Sequence, residues 1–174
     1  RQAQLLFARP DLRCEEIRGN VETRLRKLDD GEYDALVLAS AGLIRLGLGA
    51  RISARLSPPL MYPAVSQGAI GLECRADDAA TRSALERISD LPSWNAALAE
   101  RALLRALRAG CHAPVGAHVT TDAGQLRMEG VVLDHTGQRR WIASAVGKAD
   151  QPEQLGQKVA ELLIEQGAAR VLGL

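Results

Sequence analysis

Three arginines beside predicted strand ends could bind an anion. Arg18 ends a predicted strand at the first of two strand-to-helix junctions, Arg24 follows one helical turn later, and Arg45 lies just after the second junction. In an open α/β sheet, such junctions lie at one edge, where helix N-termini present free N–H groups to anions. Guanidinium groups match carboxylate and phosphate geometry. The pattern therefore predicts a site for a multiply charged anion, with Arg1 as a candidate fourth member. The alternative is that each is a solvated surface arginine.

Cys111 is the one side chain whose surroundings suggest a reactive thiol. It follows Gly110 and precedes His112-Ala113-Pro114, which predicts a turn between a helix and a strand. An isolated cysteine is more often a small buried residue, so the pattern alone leaves a buried structural thiol open. His112 is adjacent in the turn, where neighbouring side chains rarely face each other. Neither the histidines nor the cysteines have ligand spacing, so we predict no metal site.

Composition and charge narrow the class of protein. The net charge is +1, with 22 basic and 21 acidic residues, which argues against a general nucleic-acid or membrane-surface protein. Aromatic residues at 3% argue against binding by base stacking. Three cysteines without a CxxC pair fit a reducing compartment, and Cys14 and Cys74 lie in predicted strands, where we expect core positions. The sequence has no apolar run of about 20 residues and no secretory signal.

The first half of the chain alternates predicted strands and helices in the order of a βαβ unit with a parallel sheet. A helix over 1–8 precedes a strand over 12–18, and Asn20 is a good N-cap for a helix ending near Asp30. A continuous apolar run over 33–39 predicts a strand buried on both faces, and a helix opens at Ala41. A proline-rich crossing segment, a strand over 68–74 and a helix over 77–88 follow.

The second half predicts a small α+β domain. A long helix over 93–108 stops at Gly110, and a last helix over 152–166 ends at Gly167. Between them, turn residues separate three strand candidates, which predicts an antiparallel meander over 115–120, 125–133 and 140–146. The chain begins at Arg1, without Met, on a helical pattern, so we expect a fragment of something longer.

Several segments occur together in a known order: Ile17–Leu25 (IRGNVETRL), Gly31–Ala35 (GEYDA), Ala41–Gly47 (AGLIRLG), Pro63–Ala69 (PAVSQGA), Glu100–Ala102 (ERA) and Gly110–Gly116 (GCHAPVG). They resemble hallmarks of the porphobilinogen deaminase family, also called hydroxymethylbilane synthase, nearly end to end. The resemblance implies a transferase of haem and tetrapyrrole biosynthesis. That family joins four porphobilinogen units head to tail, with release of ammonia, to give hydroxymethylbilane.

The resemblance also implies roles for individual residues. Cys111 matches the cysteine that holds the dipyrromethane cofactor through a thioether, and Arg1 matches a cofactor-binding arginine. The matches to substrate-binding or cleft residues are Arg18, Arg24, Arg45, Gln67 and Gly68. Each pyrrole carries an acetate and a propionate, which gives clustered arginines a physical purpose. Ser66 and Ala109 depart from the family, where glycine is common at both positions.

The resemblance divides the chain among three domains. Residues 1–62 correspond to most of domain two, part of a periplasmic-binding-protein-like α/β domain. Residues 63–90 return to domain one, and 91–174 form domain three, an α+β domain with a three-stranded antiparallel sheet. The family's key aspartate belongs to domain one, upstream of Arg1, so we expect no catalytic acid here and an inactive chain without that N-terminal domain. The resemblance further implies a cytoplasmic monomer without nucleic-acid or membrane partners.

Two other hypotheses remain. A two-domain anion-binding protein of the periplasmic type, with Cys111 buried and inert, explains the arginines. It leaves the Gly-Cys-His-Ala-Pro turn unexplained and predicts a secretory signal upstream. A fragment that only stabilises another chain is the third hypothesis.

Overall fold

A computed structural model of the chain describes residues 1–110 and 113–173. Residues 12–56 form one compact unit, and residues 1–11 with 57–174 form a second, larger one. The helices of the larger unit are α1 (Gln2–Ala8), α4 (Ala79–Glu86), α5 (Leu91–Ala106), α6 (Pro152–Glu165) and α7 (Ala169–Leu172). The smaller unit holds α2 (Val21–Asp29), α3 (Ser40–Arg45) and a 3₁₀ turn (Gly49–Arg51). None of the described helices has the length and apolar character needed to cross a membrane.

The larger unit is built on an antiparallel meander in the order β1-β2-β3. Its strands are β1 (Val115–Asp122), β2 (Gln125–Leu133) and β3 (Arg140–Lys148). Ala123 and Gly124 form the first hairpin turn, and both have positive φ, the geometry of a two-residue turn that matches strand twist. The predicted meander is confirmed, and two of its strands extend two residues further than predicted.

Both faces of the sheet are covered near the end of β2. On one face, α5 and α6 bury a core that includes Leu103, Met128, Val132 and Val159. On the other face, Val131 and Leu133 join Ala3 and Tyr62 in a second buried cluster. The central strand therefore contributes alternate side chains to two cores, which fixes its register.

The close approach of α5 and α6 depends on Gly156. A Cβ atom at this position would collide with the carbonyl oxygen of Ala99 and lie 2.8 Å from the Cβ of Ala102 and 2.9 Å from the backbone nitrogen of Leu103. Only a residue without a side chain lets the two backbones meet here. The interface holds α5 rigidly against the core.

The smaller unit forms around two short helices. Asn20 caps α2 as predicted, because its Oδ1 accepts a hydrogen bond from the Thr23 N–H at 2.8 Å. Leu25 and Leu43 are the buried apolar residues of α2 and α3. An ion pair of 2.5 Å joins Arg51 to Asp29 and ties the 3₁₀ turn to the end of α2.

The predicted strands of the first half are not present as strands. The structure assigns none within 12–18, 33–39 or 68–74, and the side chains of 33–39 are partly or fully exposed, Val37 by 41%. An extended segment becomes a strand only when its backbone pairs with a neighbour. All strand pairing in the described residues lies within β1–β3. The prediction of core positions for Cys14 and Cys74 was wrong for the same reason: both are half-buried free thiols.

The end of α5 also differs from the prediction. The helix spans Leu91–Ala106 and begins after Asp90, whose side chain accepts a hydrogen bond from the Ser93 N–H. The left-handed residue beyond its C-terminus is Arg108, with φ of +45°, and not Gly110. The chain therefore leaves the helix two residues earlier than a glycine stop at 110 implies. The remaining predicted helices are confirmed, with ends shifted by a residue or two.

Candidate functional site

Helix α1 is fixed against the proline-rich crossing segment by a buried reciprocal pair. The Gln4 Nε2 donates to the Tyr62 carbonyl oxygen at 3.0 Å, and the Tyr62 N–H donates to the Gln4 Oε1 at 2.7 Å. One turn before Gln4, the Arg1 Nη2 donates to the Gln67 Oε1 at 2.7 Å. Two of the predicted site residues, Arg1 and Gln67, are thus brought together although they lie 66 positions apart.

Gln67 lies in a tight turn over residues 64–69 that contains two left-handed residues. Ser66 has φ of +58° and Gly68 has φ of +92°. The Gln67 N–H donates to the Ala64 carbonyl, and the Ala69 N–H donates to the Ser66 carbonyl. A Cβ atom at Gly68 would meet nothing within 4 Å, so glycine is needed there for its φ, and the backbone is open to a ligand.

Glu100 of α5 binds the backbone of this turn. Its Oε2 accepts a hydrogen bond of 2.5 Å from the Ser66 N–H. Burial raises the pKa of the half-buried Glu100 carboxyl, and the hydrogen bond from Ser66 opposes that rise. The Ser66 hydroxyl oxygen is buried without a hydrogen-bond partner in the described structure. The contact of Glu100 with Ser66 is not predictable from the sequence, because the two residues lie 34 positions apart and no local pattern connects them.

A second cluster of polar groups packs beneath α1. The Tyr62 hydroxyl donates to the Glu129 Oε2 at 3.0 Å, and burial, followed by the Glu129 carboxylate, raises the Tyr62 pKa. The Arg140 guanidinium lies 5.3 Å from the Phe7 ring centroid and 5.6 Å from that of Tyr62. Its Nη2 donates to the Pro59 carbonyl at 2.6 Å. These contacts join the sheet, α1 and the crossing segment into one body.

The predicted thiol, Cys111, lies outside the described residues, as does His112. The segment before it lines a surface groove of about 400 Å³, formed by Arg101, Leu104, Arg105, Arg108 and Ala109. None of the three arginines forms a salt bridge within residues 1–110 and 113–173. The groove therefore offers positive charge directly beside the residues that lead into Cys111.

The predicted substrate arginines all belong to the smaller unit. Arg18 is exposed and precedes Gly19, and Arg45 is the exposed last residue of α3. Arg24 is half-buried, and its Nε donates to the Gly19 carbonyl oxygen at 2.8 Å. Gly19 has φ of +116°, and a Cβ there would lie 2.9 Å from the Thr23 Cγ2. The Arg24 guanidinium is thus anchored on the carbonyl oxygen of the residue that follows Arg18. In the described part of the chain, no group of His, Cys, Asp or Glu could hold a metal ion.

Comparison with known proteins gives two family matches in chain order. Residues 1–83 match the family model described as porphobilinogen deaminase, dipyromethane cofactor binding domain, and residues 94–165 match porphobilinogen deaminase, C-terminal domain. Proteins named porphobilinogen deaminase are similar over nearly the whole chain. The relative from Xylella fastidiosa (strain M23) is 48% identical over 172 residues, which is 99% of this chain and 56% of the relative.

Two further relatives agree. The porphobilinogen deaminase of Stenotrophomonas maltophilia (strain K279a) is 48% identical over 174 residues, 100% of this chain and 57% of the relative. That of Desulforudis audaxviator (strain MP104C) is 50% identical over 172 residues, 99% of this chain and 56% of the relative. The chain thus spans little more than half the length of these curated relatives.

Proposed function

The chain belongs to the porphobilinogen deaminase family, and from this premise we propose that it is part of an enzyme that polymerises porphobilinogen. The reaction joins four units head to tail, releases one ammonia at each step and gives hydroxymethylbilane. The observation that carries the proposal is the ordered match of both family models across 1–83 and 94–165.

The cofactor of this activity is dipyrromethane, held through a thioether at Cys111. When bound, it supplies the primer to which further pyrrole units are added. The match of residues 1–83 to a cofactor-binding domain supports the cofactor, and the Gly110–Gly116 segment supports the attachment residue. The arginine-lined groove along α5 suits a carboxylate-rich group attached next to it. A thioether has the further advantage that it survives turnover.

Arg18, Arg24 and Arg45 bind the carboxylates of the substrate and of the growing chain. A guanidinium can bind a carboxylate through two parallel hydrogen bonds, which suits acetate and propionate side chains. The exposure of Arg18 and Arg45 and the anchoring of Arg24 on the Gly19 carbonyl support this role. Arg1 binds the cofactor.

Gln67 and Gly68 line the cleft. The open backbone at Gly68 supports this role, since no described atom outside residues 67–69 lies within 4 Å of the place where its Cβ would be. The Arg1–Gln67 hydrogen bond places Gln67 beside the proposed cofactor-binding arginine.

An N-terminal domain completes the active site and supplies the acidic aspartate. Residues 1–62 are most of a periplasmic-binding-protein-like α/β domain, 63–90 contribute to the N-terminal domain, and 91–174 form the third domain. The exposed side chains of Ile70, Leu72 and Ile88, at 78%, 56% and 69%, support a missing apolar partner for 63–90. We refer to the chain together with this N-terminal domain as the completed enzyme, and propose that it is a cytoplasmic monomer.

Intact-mass measurement of the completed enzyme tests the cofactor and its anchor. The expected result is an adduct equal to two linked pyrrole units, which the Cys111→Ser variant loses and the Cys74→Ser variant keeps. Cys74 is a matched control because it is a half-buried free thiol. Turnover of porphobilinogen should require the completed enzyme. An unmodified mass together with retained binding of polycarboxylates would support the anion-binding alternative instead.

A further inference from the structure

We propose that Glu100 is a positioning residue that holds Arg1 in place through the 64–69 turn, an inference that rests on the proposed cofactor-binding role of Arg1. The connection runs from the Glu100 carboxylate to the Ser66 N–H, and from the Gln67 side chain to the Arg1 guanidinium. Glu100 itself touches neither cofactor nor substrate in this proposal.

The first step is the fixed position of the carboxylate. Glu100 lies on α5 between residues that are fully buried in the core, Ala99 before it and Leu103 one turn later. At Gly156 the backbones of α5 and α6 meet so closely that an added Cβ would collide with α5. The carboxylate is therefore presented from a rigid element, as a positioning group requires.

The second step is the strained turn that the carboxylate holds. Ser66 is a non-glycine residue in the left-handed region, a conformation that persists only where the surroundings impose it. Its N–H donates to the Glu100 Oε2, and an ionised carboxylate is a stronger acceptor than a neutral oxygen. Directly before the turn, the Ala117 N–H donates to the Pro63 carbonyl oxygen at 3.0 Å. Glu100 thus fixes the turn at the residue next to Gln67.

The third step is the hydrogen bond by which the turn positions the Arg1 side chain. The buried Gln4–Tyr62 pair fixes α1, which begins one residue after Arg1, and the Gln67 Oε1 is one of the groups that orient the Arg1 side chain. That acceptor, the Gln67 Oε1, belongs to an exposed side chain whose backbone is set by the turn. Since a guanidinium binds carboxylates best in its own plane, a hydrogen bond to one Nη restricts the orientations of the plane that is offered to an anion.

A double-mutant cycle in the completed enzyme tests the inference. Glu100→Ala should lower kcat/KM for porphobilinogen about tenfold, the effect of about one lost charge-assisted hydrogen bond. Gln67→Ala should cost a similar factor, and the double variant should cost no more than about tenfold, because both changes break one connection. Glu100→Gln keeps an oxygen acceptor and should stay within about threefold of the parent. Glu161→Ala, an exposed glutamate of α6, is the matched control and should change nothing.

Melting curves and intact masses of each variant distinguish a failure of the proposed function from a failure of the proposed role of Glu100. If the parent carries no adduct and has no turnover, the proposed function fails. If the parent is loaded and active, two results overturn the role of Glu100. One is a loss of about a hundredfold in the double variant, which means independent effects. The other is a Glu100→Ala variant with a lower melting temperature and unchanged kcat/KM, which means a structural role alone.

Discussion

Replacing Ser66 by glycine should stabilise the protein, although glycine substitutions usually destabilise. At φ of +58°, an L-residue costs about 1–2 kcal/mol relative to its right-handed conformation. The buried Ser66 hydroxyl without a partner costs about another 1 kcal/mol. Against these gains stands the larger entropy of glycine in the unfolded chain, about 0.4–1 kcal/mol. The net expectation is a gain of about 1–2.5 kcal/mol, and each kcal/mol corresponds to about 2–4 °C in melting temperature for a protein of this size.

Urea unfolding followed by circular dichroism measures this gain, with Ser144→Gly as the matched control. Ser144 lies in the middle of β3, where an extended backbone gives glycine no advantage and the substitution should cost about 0.5–1 kcal/mol. The same chemical change is therefore expected to have opposite signs at the two positions. If both variants are destabilised equally, the left-handed conformation and the unpaired hydroxyl do not cost what we infer.

Two further predictions concern α5. Gly156→Ala should lower the free energy of unfolding by about 2 kcal/mol, because overpacking against the Ala99 carbonyl outweighs the better helix propensity of alanine. Gly42→Ala is the matched control and should be neutral or stabilising, because a Cβ there would meet no described atom within 4 Å apart from its chain neighbours and the backbone of its own helix. At about pH 7.5, the Glu100→Gln variant should unfold at a higher urea concentration than the parent. At about pH 4, the two proteins should unfold at the same urea concentration. Burial raises the folded-state pKa of Glu100 above its ordinary value of 4.5, so the parent loses stability as pH rises through that window. A pH-independent difference would contradict this assignment.

Local signals in the sequence were sufficient for most helices and for the meander. Asn20 caps α2 because its side chain needs only the Thr23 N–H three residues ahead. The turns between β1, β2 and β3 are likewise encoded by neighbouring residues, and alternation along β2 sends Met128 and Val131 to opposite faces. Helix caps, hairpin turns and the alternation along a strand depend on residues that are close together in the chain. A single sequence is therefore enough to predict them.

Features that depend on distant partners could not be predicted in the same way. The apolar run over 33–39 has strand composition, yet composition provides no neighbouring strand, and the run stays unpaired in the described structure. The end of α5 was misplaced because glycine at 110 is the usual signal, whereas Arg108 takes the left-handed conformation. For the candidate site, residue types near Arg1 and Gln67 were available from the sequence, but their hydrogen bond and the support from Glu100 were not.

Helix α5 carries the Glu100 carboxylate and precedes the proposed anchor residue in the chain. Its last turn leads through Arg108 towards the segment that contains Cys111, and its middle carries the carboxylate that holds the turn next to Gln67. The position of α5 is set by its packing against α6, where Gly156 admits the α5 backbone. A change that separates α5 from α6 should therefore displace the anchoring segment and the Arg1–Gln67 pair together. A change in the 64–69 turn should displace the pair alone, so Gly156→Ala and Glu100→Ala should affect cofactor loading to different extents even where their effects on kcat/KM are equal.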